Sequence, residues 1–217
     1  MSDEPTWVDY YDDQGDREPR ELLLDVLDAF GEGASDAVDL GCGQGIDSLA
    51  MLEREWRVFA VDAEPEGIRR LLQRVPPRLA GALRTEVAPM EDVALPTADL
   101  VWASFSLFFC PPDRFAGLWA KVRDAVRPGG RFAGQLLGDR DSWASKSEIS
   151  AFARVDAERL LDGLEIERFD EQEEDGEACS GPKHWHYFDV VARRPGEQAR
   201  RRAGVAGNMN RVDMRRT

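Results

Sequence analysis

Cysteine is scarce in this chain: three among 217 residues, at Cys42, Cys110 and Cys179. They are odd in number, widely spaced and never in a C-x-x-C pair, so neither a zinc site nor a disulfide framework is supported. Isolated thiols of this kind suit a reducing compartment. Histidine is scarcer, with only His184 and His186, and no cluster has metal-ligand spacing, so no metal is expected. Long apolar runs are missing: none approaches the about 18 residues of a membrane span. The opening MSDEPTW is acidic and lacks a signal-like apolar region. The expectation is a cytoplasmic protein with no membrane partner. Positive charge is also short. The net charge is −14, which argues against a nucleic acid held on a broad basic face. The deficit is uneven, because from Arg193 onward eight arginines face two acids. Only that tail would attract polyanions.

What is present suits one soluble domain. Hydrophobic residues make up 42% and charged residues 32%, enough for a core and a solvated surface. No internal repeat interrupts it. The organising stretch is Val38-Asp39-Leu40-Gly41-Cys42-Gly43-Gln44-Gly45, with glycines at alternate positions and a helix pattern from Ile46 to Leu52. A buried strand, a glycine turn and a helix N-terminus bring backbone close to a ligand, and a Cβ at the glycines would fill the ligand's space. The spacing is G-x-G-x-G, not the G-x-G-x-x-G of pyrophosphate binders. Alone it also suits a tight strand-to-helix turn with no ligand. Trp56 to Asp62 then reads as a second strand tipped by an acid. Asp62 falls about 20 residues after the turn, where nucleotide-binding α/β units place a carboxylate on ribose hydroxyls. An ionised carboxylate accepts two such bonds, both charge-assisted.

With these motifs, the pair Glu91-Asp92, the segment ADLVWASFSLFF and VRPGGRF, residues 1–192 resemble the class I S-adenosyl-L-methionine-dependent methyltransferases. The N-terminal WVDYYDDQGDREP and the late KHWHYF resemble its small-molecule branch near the tellurite-resistance type. The resemblance implies a Rossmann-like, doubly wound α/β fold: a seven-stranded sheet, the last strand antiparallel, with helices on both faces. Strands are expected at 38–41, 57–62, 83–87, 98–104, 131–137, 166–171 and 184–192. Helices are expected at 46–55, 64–74, 115–126 and 156–164, with Pro76-Pro77 stopping the second. Arg127-Pro128-Gly129-Gly130 reads as a turn, and EQEEDGEACSGP as an acidic surface loop. Three segments follow: an N-terminal helical lid at 1–36, the methyltransferase domain at 37–194, and a basic, disordered tail at 195–217.

The lid rests on Trp7, Tyr10 and Tyr11, which share one helix face. A second helix carries Leu23, Val26, Leu27 and Phe30, and Gly31 or Gly33 can end it. The resemblance places these helices over the cofactor, so that Arg17 meets its carboxylate or an anionic substrate; an ordinary surface ion pair is the alternative. It assigns S-adenosyl-L-methionine to Asp39, Gly41, Cys42, Gly43, Asp62, Ala63, Met90, Glu91 and Ser104. Met90 offers apolar contact to the adenine, and Glu91 or Asp92 accepts from its amine. The loop Ser104 to Pro112 faces the methyl group and lacks the D/N-P-P-Y/F motif, which disfavours DNA-adenine and glutamine methylation. Trp143 either walls the pocket or caps a helix.

The cofactor's sulfonium already activates the methyl group, so the protein's task is alignment and exclusion of water. Soft nucleophiles need no base; an oxygen nucleophile usually does, and His184, His186, Tyr10 and Tyr11 are the candidates. For each histidine a satisfied structural partner is the competing role. The expected partner is a small-molecule substrate. Two other readings stand beside it: a different enzyme on the same fold, such as an aminopropyl transferase or a nicotinamide-dependent reductase, and a non-catalytic cofactor-binding module acting through a partner.

Overall fold

Apolar strands that alternate with amphipathic helices build the molecule. The computed structural model describes residues 6–15, 17–30 and 35–196. Strands β1 (Asp36–Leu40), β2 (Arg57–Asp62), β3 (Leu83–Val87) and β4 (Ala98–Ala103) run parallel. β1, β2 and β4 are buried nearly throughout, as expected of strands covered on both faces. Successive side chains point to opposite faces. Val38, Leu40, Phe59 and Val61 join one core, whereas Ala37, Val58 and Ala60 join the other. Helix α5 (Pro112–Ala125) fills the first core with Phe115, Leu118, Trp119 and Val122. Helices α2 (Glu21–Asp28) and α3 (Ile46–Glu53) fill the second. Helix α1 (Trp7–Gln14) precedes them, capped by a reciprocal Thr6–Asp9 box. Helix α4 (Pro65–Arg74) starts on a proline and stops before Pro76.

The sheet continues through β5 (Val126–Gly138), which pairs parallel with β4 and antiparallel with β8 (Gly181–Arg193). β7 (Glu165–Ala178) lies outside β8, giving the order β3-β2-β1-β4-β5-β8-β7. A two-residue strand, β6 (Ala151–Phe152), pairs with β5 and is followed by α6 (Arg154–Leu160), so the sheet has eight strands where seven were expected.

Two boundaries differ from the sequence reading. The Arg127–Gly130 turn lies inside β5, with the register to β4 slipping between Ala98 and Leu100. The expected acidic loop is mostly strand: β7 and β8 stay paired out to Ala178 and Gly181, joined by Cys179 and Ser180. Its carboxylates are held from the side, with Arg140 on Glu171 at 2.6 Å and on Glu173 at 2.7 Å. Charge on an edge strand also discourages pairing with another sheet. Gly31, Gly33 and the tail beyond Gly196 lie outside the described residues.

Candidate active site

The C-terminal ends of β1 and β2 meet at one edge of the sheet. The N–H groups of Gly41 and Cys42 both reach the carbonyl of Val61, at 2.8 and 3.0 Å. One residue on, the Gly43 N–H donates to Oδ2 of Asp62 at 2.7 Å, and the Glu64 N–H donates to Oδ1 at 2.8 Å. Each carboxylate oxygen keeps a lone pair for a further donor. Burial raises the Asp62 pKa, and the two N–H bonds work against that rise.

The glycines have a different role from the expected one at two of three positions. All three sit in the left-handed region. A Cβ on Gly41 would collide with Ser106, and one on Gly45 with Leu71 of α4. Protein fills that space, not ligand. Only at Gly43 is the nearest group the ring of Tyr11, at 3.3 Å. Asp39 is buried beneath the turn and accepts from Ser48 Oγ at 2.5 Å. Burial, then the neighbouring Asp47 and Asp62 charges, push its pKa up to about 7 against the Ser48 bond. Burial also raises the Cys42 thiol, which keeps it protonated.

The other named residues surround this edge unequally. Met90 Cε stands 3.6 Å from the same Gly41 position. Glu91 is committed to Arg114 at 3.1 Å, and Asp92 pairs with the same guanidinium. Ala63 is exposed. Ser104, just past β4, has a buried hydroxyl with no hydrogen-bond partner among the described residues, an uncommon state for a buried polar atom.

Helix α1 lies over the turn. Gln44 Nε2 donates to the carbonyls of Tyr11 and Gly15 at 3.3 and 2.9 Å. Tyr11 is buried, and burial followed by the Asp62 charge raises its pKa, so the phenol stays neutral. Trp7 meets Phe109 edge-on at 5.0 Å, closing the helix against the loop after β4. Arg17 is held by Asp47 at 3.0 Å. Asp47 also accepts from Trp102 Nε1 and from the Arg20 N–H, tying the segment before α2 to α3.

The histidines sit on the hairpin. His186 is fully buried; its Nδ1 accepts the Arg140 N–H at 3.0 Å and its Nε2 meets Glu171 at 3.0 Å. That pattern fixes the tautomer with the proton on Nε2. His184 pairs with Asp175 at 2.7 Å and Glu173 at 3.2 Å, and those bonds raise its pKa. Lys183, expected near this edge from the start of the last strand, is there, but its pairing with Asp141 was not foreseen: the two form a buried ion pair enclosed by Trp143 and Trp185, with Nζ 4.3 and 4.1 Å from the ring centres. Trp143 also packs on Phe108 and Phe109, its ring 6.2 Å from each. Arg20 was also missed; its place depends on tertiary contacts and not on a motif. Among the described residues no group of His, Cys, Asp and Glu is arranged to hold a metal.

Residues 37–130 match the family model described as a methyltransferase domain. Among curated proteins, the carboxy-S-adenosyl-L-methionine synthase of Shewanella amazonensis is 30% identical over 153 residues, which is 66% of this chain and 56% of that protein. The magnesium-protoporphyrin O-methyltransferase of Rhodobacter capsulatus is 38% identical over 77 residues, 35% of this chain and 34% of that one. The chain thus spans about half or less of these relatives' length. Among solved structures, TehB from Haemophilus influenzae superposes with a TM-score of 0.71 at 15% identity, over 87% of this chain and 67% of that one. That likeness shows the fold. Residues 37–130 are thus a methyltransferase domain, and with the glycine turn and the acid-tipped β2 the chain is similar to the class I S-adenosyl-L-methionine-dependent methyltransferases.

Proposed function

We propose that the protein transfers a methyl group from S-adenosyl-L-methionine to a small-molecule acceptor by in-line displacement. The observation that carries this reading is the Asp62 carboxylate, held on each oxygen by one backbone N–H and set beside the glycine turn. The residues fit the cofactor on a second ground: Ser104 has a buried hydroxyl still wanting a partner. When bound, the cofactor supplies a methyl group activated by a sulfonium. Asp62 accepts from the ribose hydroxyls, the Gly43 turn lies along the amino-acid portion, and Met90 gives the adenine an apolar wall. Ser104 donates toward the methionyl or acceptor side. The lid aromatics and the loop after β4 exclude water, which strengthens every polar contact inside.

Both histidine rings are engaged by carboxylates of the hairpin, and both Tyr10 and Tyr11 have raised pKa values through burial. This supports an acceptor that reacts without a protein base. Free thiols at Cys42, Cys110 and Cys179 support a reducing, cytoplasmic setting. Among the described residues no helix is long and apolar enough to cross a membrane. A net charge of −14 weighs against nucleic acid. We assign residues 1–36 to a lid, 37–194 to the catalytic domain and 195–217 to a tail. The test is transfer of a labelled methyl group across thiol, amine, hydroxyl and metalloid acceptors. Product with any of them supports the enzyme. Tight cofactor binding with no product across the series would favour a non-catalytic module.

A further inference from the structure

Arg20 stands out among the guanidinium groups of this acidic protein. Arg17, three residues earlier, holds Asp47. The Arg20 side chain makes no hydrogen bond or ion pair among the described residues, and its Nε is buried without a partner. Leaving a buried charged donor unsatisfied is costly. Its guanidinium instead lies 4.9 Å from the centre of the Phe105 ring. Phe105 belongs to the loop after β4 and has a φ of +48°, a conformation that a bulky residue adopts only under constraint. The constraint is visible: its N–H donates to Gln135 Oε1 at 3.1 Å, and Gln135 Nε2 donates to Asp189 at 2.8 Å. The ring also packs edge-on against Tyr187 at 5.0 Å and Trp185 at 5.8 Å. The Phe105 ring under Arg20 also meets the Tyr187 ring of β8, and the Arg20 charge lowers the pKa of both Tyr10 and Tyr187 against the larger effect of burial. Neither hydroxyl is hydrogen-bonded to a described residue.

We propose that Arg20, with the Tyr187 hydroxyl, binds a carboxylate on the methyl acceptor, and that the Phe105 and Trp185 rings pack against an aromatic or planar framework bearing it. The substrate class is therefore an aromatic carboxylic acid. This rests on the methyltransferase reading and names the acceptor of the same site. A planar guanidinium with open N–H groups matches a carboxylate, and a phenol donor adds to the oxyanion's contacts. The Arg20 guanidinium lies on Phe105 of the β4 loop, whereas the Tyr11 ring, one residue from Tyr10, lies over the Gly43 turn that holds Asp62.

The test uses the full chain and two matched probe pairs, benzoate with benzamide and phenylacetate with phenylacetamide. Binding is followed by tryptophan fluorescence, with and without saturating S-adenosylhomocysteine. The acids should bind about tenfold or more tighter than the amides. Arg20→Gln should abolish that preference, and Arg20→Lys should restore part of it. Both variants should keep the melting temperature and the affinity for S-adenosylhomocysteine. Equal binding of acid and amide, or no binding of either acid, would overturn the proposal. So would an Arg20→Gln variant that loses affinity for S-adenosylhomocysteine but keeps it for 5′-methylthioadenosine, because that pattern assigns the guanidinium to the cofactor's own carboxylate. Failure of the wild type to bind S-adenosylhomocysteine would instead sink the methyltransferase reading, while the acid preference remains measurable without it.

Discussion

The Gly43 N–H and the Asp62 carboxylate are joined by a 2.7 Å hydrogen bond, across the gap between two adjacent parallel strands. The bond orients the carboxylate before any ligand arrives. A group held in place in advance loses less freedom on binding. The same bond ties the turn to β2, so the cradle is one rigid unit and not two loops that meet by chance.

The outer glycines of that turn are packing residues. Gly45→Ala forces a left-handed φ on alanine and drives its methyl into Leu71. Strain and overpacking together are expected to cost about 2–4 kcal/mol. Denaturant unfolding should show the loss. If Gly45→Ala kept full stability and lost only cofactor affinity, the packing role would be wrong.

Asp39 makes stability depend on pH. Its folded-state pKa is about 7, above the ordinary value of 3.8. The folded protein therefore retains a proton that the unfolded chain has released. Its contribution is fully present below about pH 4 and is lost as pH rises through about 7. The melting temperature should fall between about pH 4 and 7, and Asp39→Asn should flatten that slope. Parallel pH profiles for the two proteins would count against the burial argument.

Lys183 and Asp141 are closed off from water behind two tryptophans. Lys183→Met leaves a buried carboxylate with only the N–H groups of Trp143 and His186. The expected cost is about 3–5 kcal/mol, or roughly 6–20 °C in melting temperature for a chain of this size. Adding Asp141→Asn should recover part of it. Losses that simply add in the double variant would show that the two groups act independently.

Much of the architecture was legible because it depends on local patterns. Strands buried on both faces read as apolar runs, glycines marked the first turn, and Asp62 stood at the end of its strand. The β7–β8 hairpin was not legible beyond Glu171. Its glutamates and aspartates read as loop, and only the arginines of other segments make them tolerable in a strand. The choice between Arg17 and Arg20 was equally hidden. Both flank the same helix, and it is Asp47, about thirty residues away, that occupies one and leaves the other open. The packing role of Gly41 and Gly45 depends on Ser106 and Leu71, which no spacing rule brings beside them.

Calorimetric titration of S-adenosylhomocysteine into the wild-type chain and Asp62→Ala tests the central claim most directly. The account predicts clear binding to the wild type and a loss of roughly ten- to a hundredfold in the variant, the equivalent of one or two charge-assisted hydrogen bonds. Equal affinities in two folded proteins would contradict it.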